Sequence, residues 1–234
     1  MRISNIARRE STGVPITRFG DFCLGQGIRT LAVFGDSITV GEGATSPDRS
    51  WARLVAGRLG VELANAAISG TVLQGSLMAD GQPRPGNGIS RYRNALLGNA
   101  RADALVVLYG YNDARYTAAP ETFNLAAFVR DYRAILADLA PAYGNALCLG
   151  SPPFIPTIGF ARGGPGFTNQ SRPGFAAFAT AVRALATEFH TFYAPVYETM
   201  ATHPDGSLAS PDITHPNDLG HAVIAEAVLA AERL

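Results

Sequence analysis

Short apolar runs alternate along the chain with longer alanine-rich segments of helical period, and this alternation constrains the fold more than any other feature. Five of the runs are short and apolar enough to be buried strands. They cover residues 30–35, 61–67, 104–110, 145–151 and 191–196. Strands that alternate with helices build a parallel sheet whose two faces are both covered. The pattern therefore predicts an α/β chain: a three-layer α/β/α sandwich, flavodoxin-like, with a central parallel sheet of about five strands.

Apolar residues at helical spacing predict the helices that connect these strands. They cover residues 50–60, 89–98, 125–140, 175–190 and 218 onward. Two segments rich in Gly and Pro, 71–88 and 152–174, are predicted loops. Because both connect strand ends to later elements, we expect them to border a site at the carboxyl edge of the sheet. Their apolar side chains either line a pocket there or fold the loops onto the body; they are Val72, Leu73, Leu77, Met78, Phe154, Ile155, Ile158, Phe160 and Phe167.

Length and composition fit a single folded unit. The 234 residues are 47% hydrophobic and 16% charged, which favours a large buried core over disorder. We predict one domain over residues 1–234, with residues 1–28 as an N-terminal extension packed on it. A formal net charge of zero argues against nucleic acid and anionic membranes as partners. The N-terminal residues lack the uninterrupted apolar run of a signal peptide, so we predict a cytoplasmic protein.

The basic, cysteine and histidine content limits the chemistry. All 19 Lys or Arg side chains are arginine, which excludes a catalytic lysine and a phosphate-loop lysine. Cys23 and Cys148 are far apart, and no Cys/His cluster has the spacing of a zinc site. We therefore expect free thiols, no metal and no cofactor. His190, His203 and His221 have no partner nearby in the sequence and are expected to be structural.

Polar residues follow three of the predicted strands at the point where each strand ends. They are Asp36 and Ser37, Ser69 and Gly70, and Asn112 and Asp113. Because the carboxyl ends of parallel strands lie at one edge of a sheet, we expect these residues to lie close together.

A serine at this edge is a candidate nucleophile when a base, an orienting group and oxyanion donors lie near it. Asp212 and His215 stand three residues apart, so that one turn brings the carboxylate beside the imidazole. We predict Ser37 as the nucleophile, His215 as the base and Asp212 as its orienting group. The predicted oxyanion donors are the backbone N–H groups of Ser37 and Gly70 and the side-chain amide of Asn112.

Four blocks carry Ser, Gly, Asn and His in that order, with Asp just before His: FGDSITVG, AAISG, GYND and DITHPN. Together they resemble the GDSL or SGNH hydrolase family of lipases, esterases and acetylesterases, over residues 34–217. The resemblance implies a three-layer α/β/α fold and ester hydrolysis without a metal, with the roles named above. Two departures are Ile38, where the family has leucine, and Tyr111, where a small residue is common and which is expected to narrow the site. Asp36 and Asp113 are expected to support the site by bonding backbone groups or each other.

The leading prediction is a serine esterase that hydrolyses small esters, with acetyl as the favoured acyl group, through an acyl-enzyme. An acyltransferase, a thioesterase or a lysophospholipase would use the same residues, and these alternatives stay open. A non-catalytic binding protein on this fold is a further alternative. A metal-dependent phosphohydrolase is disfavoured because Ile38 stands where the motif D-x-D-x-T needs its second Asp. The expected partner is a small-molecule ester, and the sequence carries no signal for the oligomeric state.

Overall fold

The computed structural model describes residues 18–78, 80–98, 101–115, 123–161 and 170–234. Within these residues one six-stranded sheet has the order β2-β1-β3-β4-β5-β6. The strands are β1 (Thr30–Gly35), β2 (Glu62–Asn65), β3 (Ala104–Leu108), β4 (Leu147–Gly150), β5 (Phe192–Ala194) and β6 (Glu232–Arg233). β1 to β5 pair in parallel, whereas β6 pairs with β5 in antiparallel. The predicted parallel sheet is confirmed, in the flavodoxin-like order, and the short β6 is an addition.

Helices precede, connect and follow the strands. They are α1 (Phe19–Gly25), α2 (Ser37–Val40), α3 (Trp51–Leu59), α4 (Gly88–Leu96), α5 (Tyr111–Arg115), α6 (Leu125–Tyr143), α7 (Thr157–Ala161), α8 (Arg172–Glu188), α9 (Val196–Ala201) and α10 (Asp218–Leu229). α3 ends at Leu59, and Gly60, where the sequence predicts the helix to end, is its C-cap with a left-handed φ of 67°. α10 begins as predicted at Asp218, because Asn217 caps it by accepting the N–H of Gly220 at 2.9 Å.

Alternate residues of the central strands face two different helical layers. In β1, Val33 packs in the cluster that includes α3 and α10, whereas Phe34 packs in the cluster that includes α4 and α6. β3 is buried at every position. The apolar runs of β1, β3, β4 and β5 thus correspond to buried strands. β2, which was also predicted to be buried, is mostly exposed because it lies at the edge of the sheet.

Short elements account for most of what the sequence pattern missed. α1, α2, α5 and α9 have 7, 4, 5 and 6 residues, too few to show a helical period. α7 lies inside the predicted loop 152–174. Leu219 is 55% exposed, although the apolar spacing of α10 predicts it on the buried face. Gly220 packs inward instead, where a Cβ would lie 2.4 Å from the carbonyl oxygen of Leu208.

Part of the predicted N-terminal extension packs on the sheet. Residues 1–17 lie outside the described residues. Phe19 of α1 places its ring edge-on against Phe192 of β5, with centroids 5.4 Å apart. Within the described ranges, no helix has the length and apolar character that crossing a membrane requires.

Candidate active site

Ser37 lies at the carboxyl edge of the sheet, at the first position of α2 and two residues beyond Gly35, where β1 ends. Asp36 caps this short helix by accepting the N–H of Ile38 at 3.0 Å. Gly35 allows a close approach of β1 to β3, because a Cβ there would lie 2.4 Å from the carbonyl oxygen of Leu108. The strand therefore ends in a tight turn that holds Ser37, which is 7% exposed.

His215 connects Ser37 to Asp212 by hydrogen bonds. Its Nε2 lies 2.9 Å from Ser37 Oγ, and its Nδ1 lies 2.6 Å from Asp212 Oδ2. Asp212 Oδ1 accepts the hydroxyl of Ser210 at 2.7 Å and the N–H groups of Thr214 and His215 at 2.8 and 2.9 Å. Although burial raises the pKa of Asp212, these hydrogen bonds hold it well below its usual range. The turn thus keeps the carboxylate ionised and directed at Nδ1.

Two contacts from outside the turn hold His215 in place. Tyr111 donates its hydroxyl hydrogen to the carbonyl oxygen of Thr214 at 2.8 Å. Gly43, at a φ of +90°, lies where a Cβ would come within 2.7 Å of His215 Cβ and 2.2 Å of the Pro216 carbonyl oxygen. Tyr111, which departs from the resembled family's third block, therefore braces the histidine turn.

Gly70 and Asn112, the predicted oxyanion donors, are linked through Thr71. Asn112 is the second residue of α5, and its Nδ2 donates to the carbonyl oxygen of Thr71 at 3.0 Å. Among the described residues Nδ2 makes this one hydrogen bond, which leaves its second hydrogen without an acceptor. Gly70 has a φ of +73° and open space at its Cβ position, so the backbone conformation rather than crowding favours glycine there.

Asp36 and Asp113 bond backbone groups, one of the two partner types considered for them. Asp113 accepts the N–H groups of Leu73 and Gln74 at 3.0 and 3.1 Å, which ties the loop after β2 to α5. Burial raises the pKa of Asp36 to about 7 and that of Asp113 to about 6. Asp36 Oδ2 is buried and has no hydrogen-bond partner among the described residues. Both carboxyl groups hold loops in place, and burial makes their ionised forms less favourable than in water.

Glu42 belongs to the site, and the sequence pattern did not indicate it. Its Oε2 lies 3.2 Å from His215 Nε2, and its Oε1 accepts the hydroxyl of Ser69 in a short hydrogen bond. Its N–H donates to the Ser37 carbonyl oxygen at 3.0 Å, and its own carbonyl oxygen lies 3.0 Å from His221 Nε2. Its place just after the first block puts it near Ser37 in the sequence. That alone does not indicate a site residue, because a glutamate in a polar loop is usually a solvated side chain.

Arg91 is a second residue that the sequence pattern missed. Its Nη2 donates to the Gly35 carbonyl oxygen at 3.2 Å and to the Tyr109 hydroxyl at 2.6 Å, and Nη1 donates to the Ala66 carbonyl oxygen. The guanidinium thereby joins the chain segments at the ends of β1, β2 and β3, the edge from which Ser37 projects.

Two pockets adjoin these residues. One, of about 280 Å³, is lined by Gly70 and Asn112 together with Val72, Ser76, Leu77, Arg84, Asn87 and Phe123. The other, of about 20 Å³, is mostly apolar and includes His215, Tyr111 and Phe154 in its lining. The first is large enough for a small organic ligand, and the second has room for little more than a methyl group.

The apolar residues of the two predicted loops divide between the alternatives considered for them. Val72, Leu77 and Phe154 line these pockets. Others serve packing or face solvent: Leu73 and Ile155 are buried, Phe160 packs against Phe175, and Met78 and Ile158 are exposed. Phe167 lies outside the described residues.

The cysteines take no part in this hydrogen-bond series, and among the remaining histidines His221 contacts it through the Glu42 carbonyl oxygen. Cys23 and Cys148 are buried free thiols, as predicted. His221 is fully buried and receives the N–H of Trp51 at Nδ1. Burial lowers the pKa of His221, which keeps the ring neutral with its proton on Nε2. Among the described residues, no three His, Cys, Asp or Glu side chains are grouped to hold a metal ion.

Comparison with known proteins connects this geometry to one family. A family model described as the GDSL-like Lipase/Acylhydrolase family matches residues 33–223, which include all of the predicted site residues. No curated protein sequence matches the chain significantly.

Solved structures with the same fold share low sequence identity with the chain. A lipase/acylhydrolase from Enterococcus faecalis is 20% identical with a TM-score of 0.61, over 86% of this chain and 94% of that one. Axe2, an acetyl xylan esterase from Geobacillus stearothermophilus, is 19% identical with a TM-score of 0.62, over 86% and 93% of the two chains. The protein TesA is also 19% identical with a TM-score of 0.62, over 86% and 96%.

Proposed function

Because the chain belongs to the GDSL-like lipase/acylhydrolase family, we propose that it is a serine esterase that hydrolyses small carboxylic esters through an acyl-enzyme. The observation that carries the proposal is the series Asp212, His215 and Ser37, with 2.6 and 2.9 Å between successive partners. An imidazole held by a carboxylate on one nitrogen and by a serine hydroxyl on the other is arranged for general-base catalysis.

In the first half-reaction, Ser37 Oγ attacks the ester carbonyl carbon while His215 Nε2 takes the hydroxyl proton. Asp212 stabilises the imidazolium that forms. The carbonyl oxygen becomes an oxyanion, which the N–H groups of Ser37 and Gly70 and the Nδ2 of Asn112 would bind. When the intermediate collapses, its bond to the alcohol oxygen breaks and the imidazolium proton passes to that oxygen. The acyl group stays on Ser37.

In the second half-reaction, water attacks the acyl carbon while His215 Nε2 takes one of its protons. Collapse then breaks the bond to Ser37 Oγ, which recovers a proton from the imidazolium, and the carboxylic acid leaves. An acceptor alcohol in place of water would give acyl transfer with the same proton movements.

We propose short acyl groups, acetyl above all, on a small alcohol such as a sugar or an aryl alcohol. The pocket beside Gly70 and Asn112 has about 280 Å³, near the lower end of the ~300–1,000 Å³ typical of ligand pockets. Its lining mixes apolar Leu77 with polar Ser76 and Asn87, which suits a hydroxylated alcohol with a small apolar part. The similarity to an acetyl xylan esterase supports the same choice.

A panel of 4-nitrophenyl esters from acetyl to long acyl chains, with acetylated sugars beside them, tests the proposal. We expect the highest kcat/KM for acetyl and a steep fall with chain length. Ser37→Ala should remove nearly all activity, because the nucleophile is lost. Ser90→Ala, at an exposed position of α4, is the matched control and should keep it.

A fluorophosphonate probe separates the enzyme from a binding protein on the same fold. It should label the unmodified chain and Ser90→Ala but not Ser37→Ala. Absence of both labelling and ester hydrolysis in folded protein would contradict the proposal. Analysis of products with an added alcohol distinguishes hydrolysis from acyl transfer.

A further inference from the structure

Glu42 places a carboxylate at the point where the proposed reaction exchanges its proton. Its Oε2 lies 3.2 Å from His215 Nε2, the nitrogen that also faces Ser37 Oγ. Its Oε1 accepts the hydroxyl of Ser69, next to Gly70. The carboxylate therefore spans from the base to the turn of the proposed oxyanion donor.

Two hydrogen bonds hold the backbone of Glu42 in place. Its N–H donates to the carbonyl oxygen of Ser37 at 3.0 Å. Its carbonyl oxygen accepts the Nε2 proton of buried His221 at 3.0 Å. These two hydrogen bonds fix the position of the Glu42 backbone, from which the side chain extends to His215. The side chain itself is 43% exposed.

The chemistry sets a limit on how far the departing alcohol can lie from this carboxylate. The alcohol oxygen takes its proton from His215 Nε2, so it comes within about 3 Å of that atom. Since Glu42 Oε2 is 3.2 Å from the same nitrogen, the alcohol oxygen lies within about 6 Å of Glu42 Oε2, whichever pocket holds the rest of the alcohol.

We propose that Glu42 is a specificity-determining residue that selects esters by the charge of their alcohol, disfavouring anionic alcohols and favouring cationic ones. The proposal rests on the esterase function proposed above. Among the residues that the structure describes, the partners of the carboxylate are a hydroxyl and the histidine, and no arginine bonds it. Arg84 lines the pocket of Gly70 and Asn112, and Arg91 is engaged by carbonyl oxygens and a tyrosine hydroxyl. The negative charge beside Nε2 is therefore left to act on the substrate.

Two pairs of acetate esters test this selection. 2-Acetoxybenzoate and 2-acetoxybenzamide differ in a negative charge next to the ester, and acetylcholine and 3,3-dimethylbutyl acetate differ in a positive one. Comparing charged and neutral members within each pair, before and after Glu42→Gln, cancels differences in intrinsic reactivity. Glutamine keeps the shape and an acceptor for Ser69 while it removes the charge.

We expect Glu42→Gln to raise the kcat/KM ratio of 2-acetoxybenzoate to 2-acetoxybenzamide about tenfold. The ratio of acetylcholine to its neutral analogue should fall by a similar factor. This is the size expected if the substrate charge, like the alcohol oxygen, lies about 6 Å from Glu42 Oε2 at an effective dielectric constant of about 40. Glu62→Gln removes an exposed charge at the start of β2 and should leave both ratios unchanged. Ser69→Ala keeps the Glu42 charge and should keep the selection.

A measurement on the unmodified chain makes the test independent of how a variant folds. Raising the ionic strength from about 0.05 to 0.5 M should reduce both selectivities, since salt screens a half-exposed charge. Hydrolysis of all four esters with ratios unchanged in Glu42→Gln and by salt would overturn this inference alone. Hydrolysis of none by the unmodified chain would overturn the proposed function and this inference with it.

Discussion

On the side of Ser37 that carries the proposed base, His215 and Asp212 lie in one turn and bond each other and their sequence neighbours. On the side of the proposed oxyanion donors, the contacts run between distant segments. Asn112 bonds Thr71 across 41 positions of the chain, and Asp113 bonds Leu73 across 40. The proposed base is therefore positioned mainly by local sequence, whereas the proposed oxyanion donors depend on how the loop after β2 meets α5.

This difference sets how each side should respond to mutation. A change within the histidine turn removes a contact of the base directly. A change on the other side alters how the loop after β2 and α5 are aligned. This should affect the binding of the oxyanion more than it affects the position of His215. Substitutions on the two sides should thus differ in size and in their effect on kcat and KM.

Among the substitutions that compare the two sides of Ser37, the largest effect is expected from Asp212→Asn. The amide keeps the size of the carboxylate but loses the charge that stabilises the imidazolium and the preference for a proton on Nδ1. We expect kcat for 4-nitrophenyl acetate to fall about 10⁴-fold. Steady-state kinetics of Asp212→Asn beside His215→Ala measure this. A loss below tenfold would mean that the turn orients His215 without the carboxylate.

The next largest effect is expected on the other side of Ser37, from Asn112→Ala. Loss of one oxyanion donor should lower kcat about 10²–10³-fold with little change in KM, since the oxyanion exists only in the transition state. Asn94→Ala, at an exposed position of α4, is the matched control. A raised KM with unchanged kcat would instead assign Asn112 to ground-state binding.

Asp36→Asn tests the strand end that both sides share. Burial raises the pKa of Asp36 to about 7, so the folded chain keeps a proton that the unfolded chain loses near pH 4. The contribution of this group to stability is full below about pH 4 and is lost as pH rises to about 7. Between pH 4.5 and 7.5, the free energy of unfolding should fall by about 3 kcal/mol more in the unmodified chain than in Asp36→Asn.

Urea unfolding of both proteins at the two pH values measures this difference. Other titrating groups, including Asp113 and His221, remain in both proteins, so their effects largely cancel in the comparison. Equal pH dependence of the two proteins would show that Asp36 ionises in the folded chain as freely as in water.

The sequence predicts the parts of the molecule whose pattern is local or continuous. β1 and β3 were predictable because both faces are covered and the apolar runs are unbroken. β6 has two residues, Glu232 and Arg233, and arises from backbone pairing with β5, which leaves no hydrophobic pattern. α2 and α5, which carry Ser37 and Asn112, are too short for a period, so their positions came from motifs rather than from helical spacing.

The candidate site follows the same division. Asp212 and His215 could be paired from their spacing alone. Glu42 could not, because its contact with His215 spans most of the chain and a single glutamate in a loop has no pattern. Tyr111 was noticed as a departure, but its partner Thr214 lies 103 positions away. The catalytic roles of the site residues remain predictions that the substitutions above test.

The smallest effect is expected from Tyr111→Phe, and it shows whether the two sides of Ser37 are independent. The change removes the hydroxyl that braces Thr214 but keeps the ring, which packs edge-on against Phe175 with centroids 5.6 Å apart. Loss of one hydrogen bond, about 1 kcal/mol, would lower kcat about fivefold if all of it acts through the histidine turn. Tyr143→Phe, which loses a bond to the Leu96 carbonyl oxygen, should cost similar stability and leave kcat unchanged.

Tyr111 and Asn112 are neighbours on α5, so the helix contacts both sides at once. If the two sides act independently, the loss of kcat in the double variant Tyr111→Phe/Asn112→Ala equals the product of the single losses. If α5 couples the two sides, the loss of kcat in the double variant is smaller than the product of the single losses. Either change alone would then displace α5, so the second change would add less. A loss equal to the product would assign Tyr111 to the base side alone.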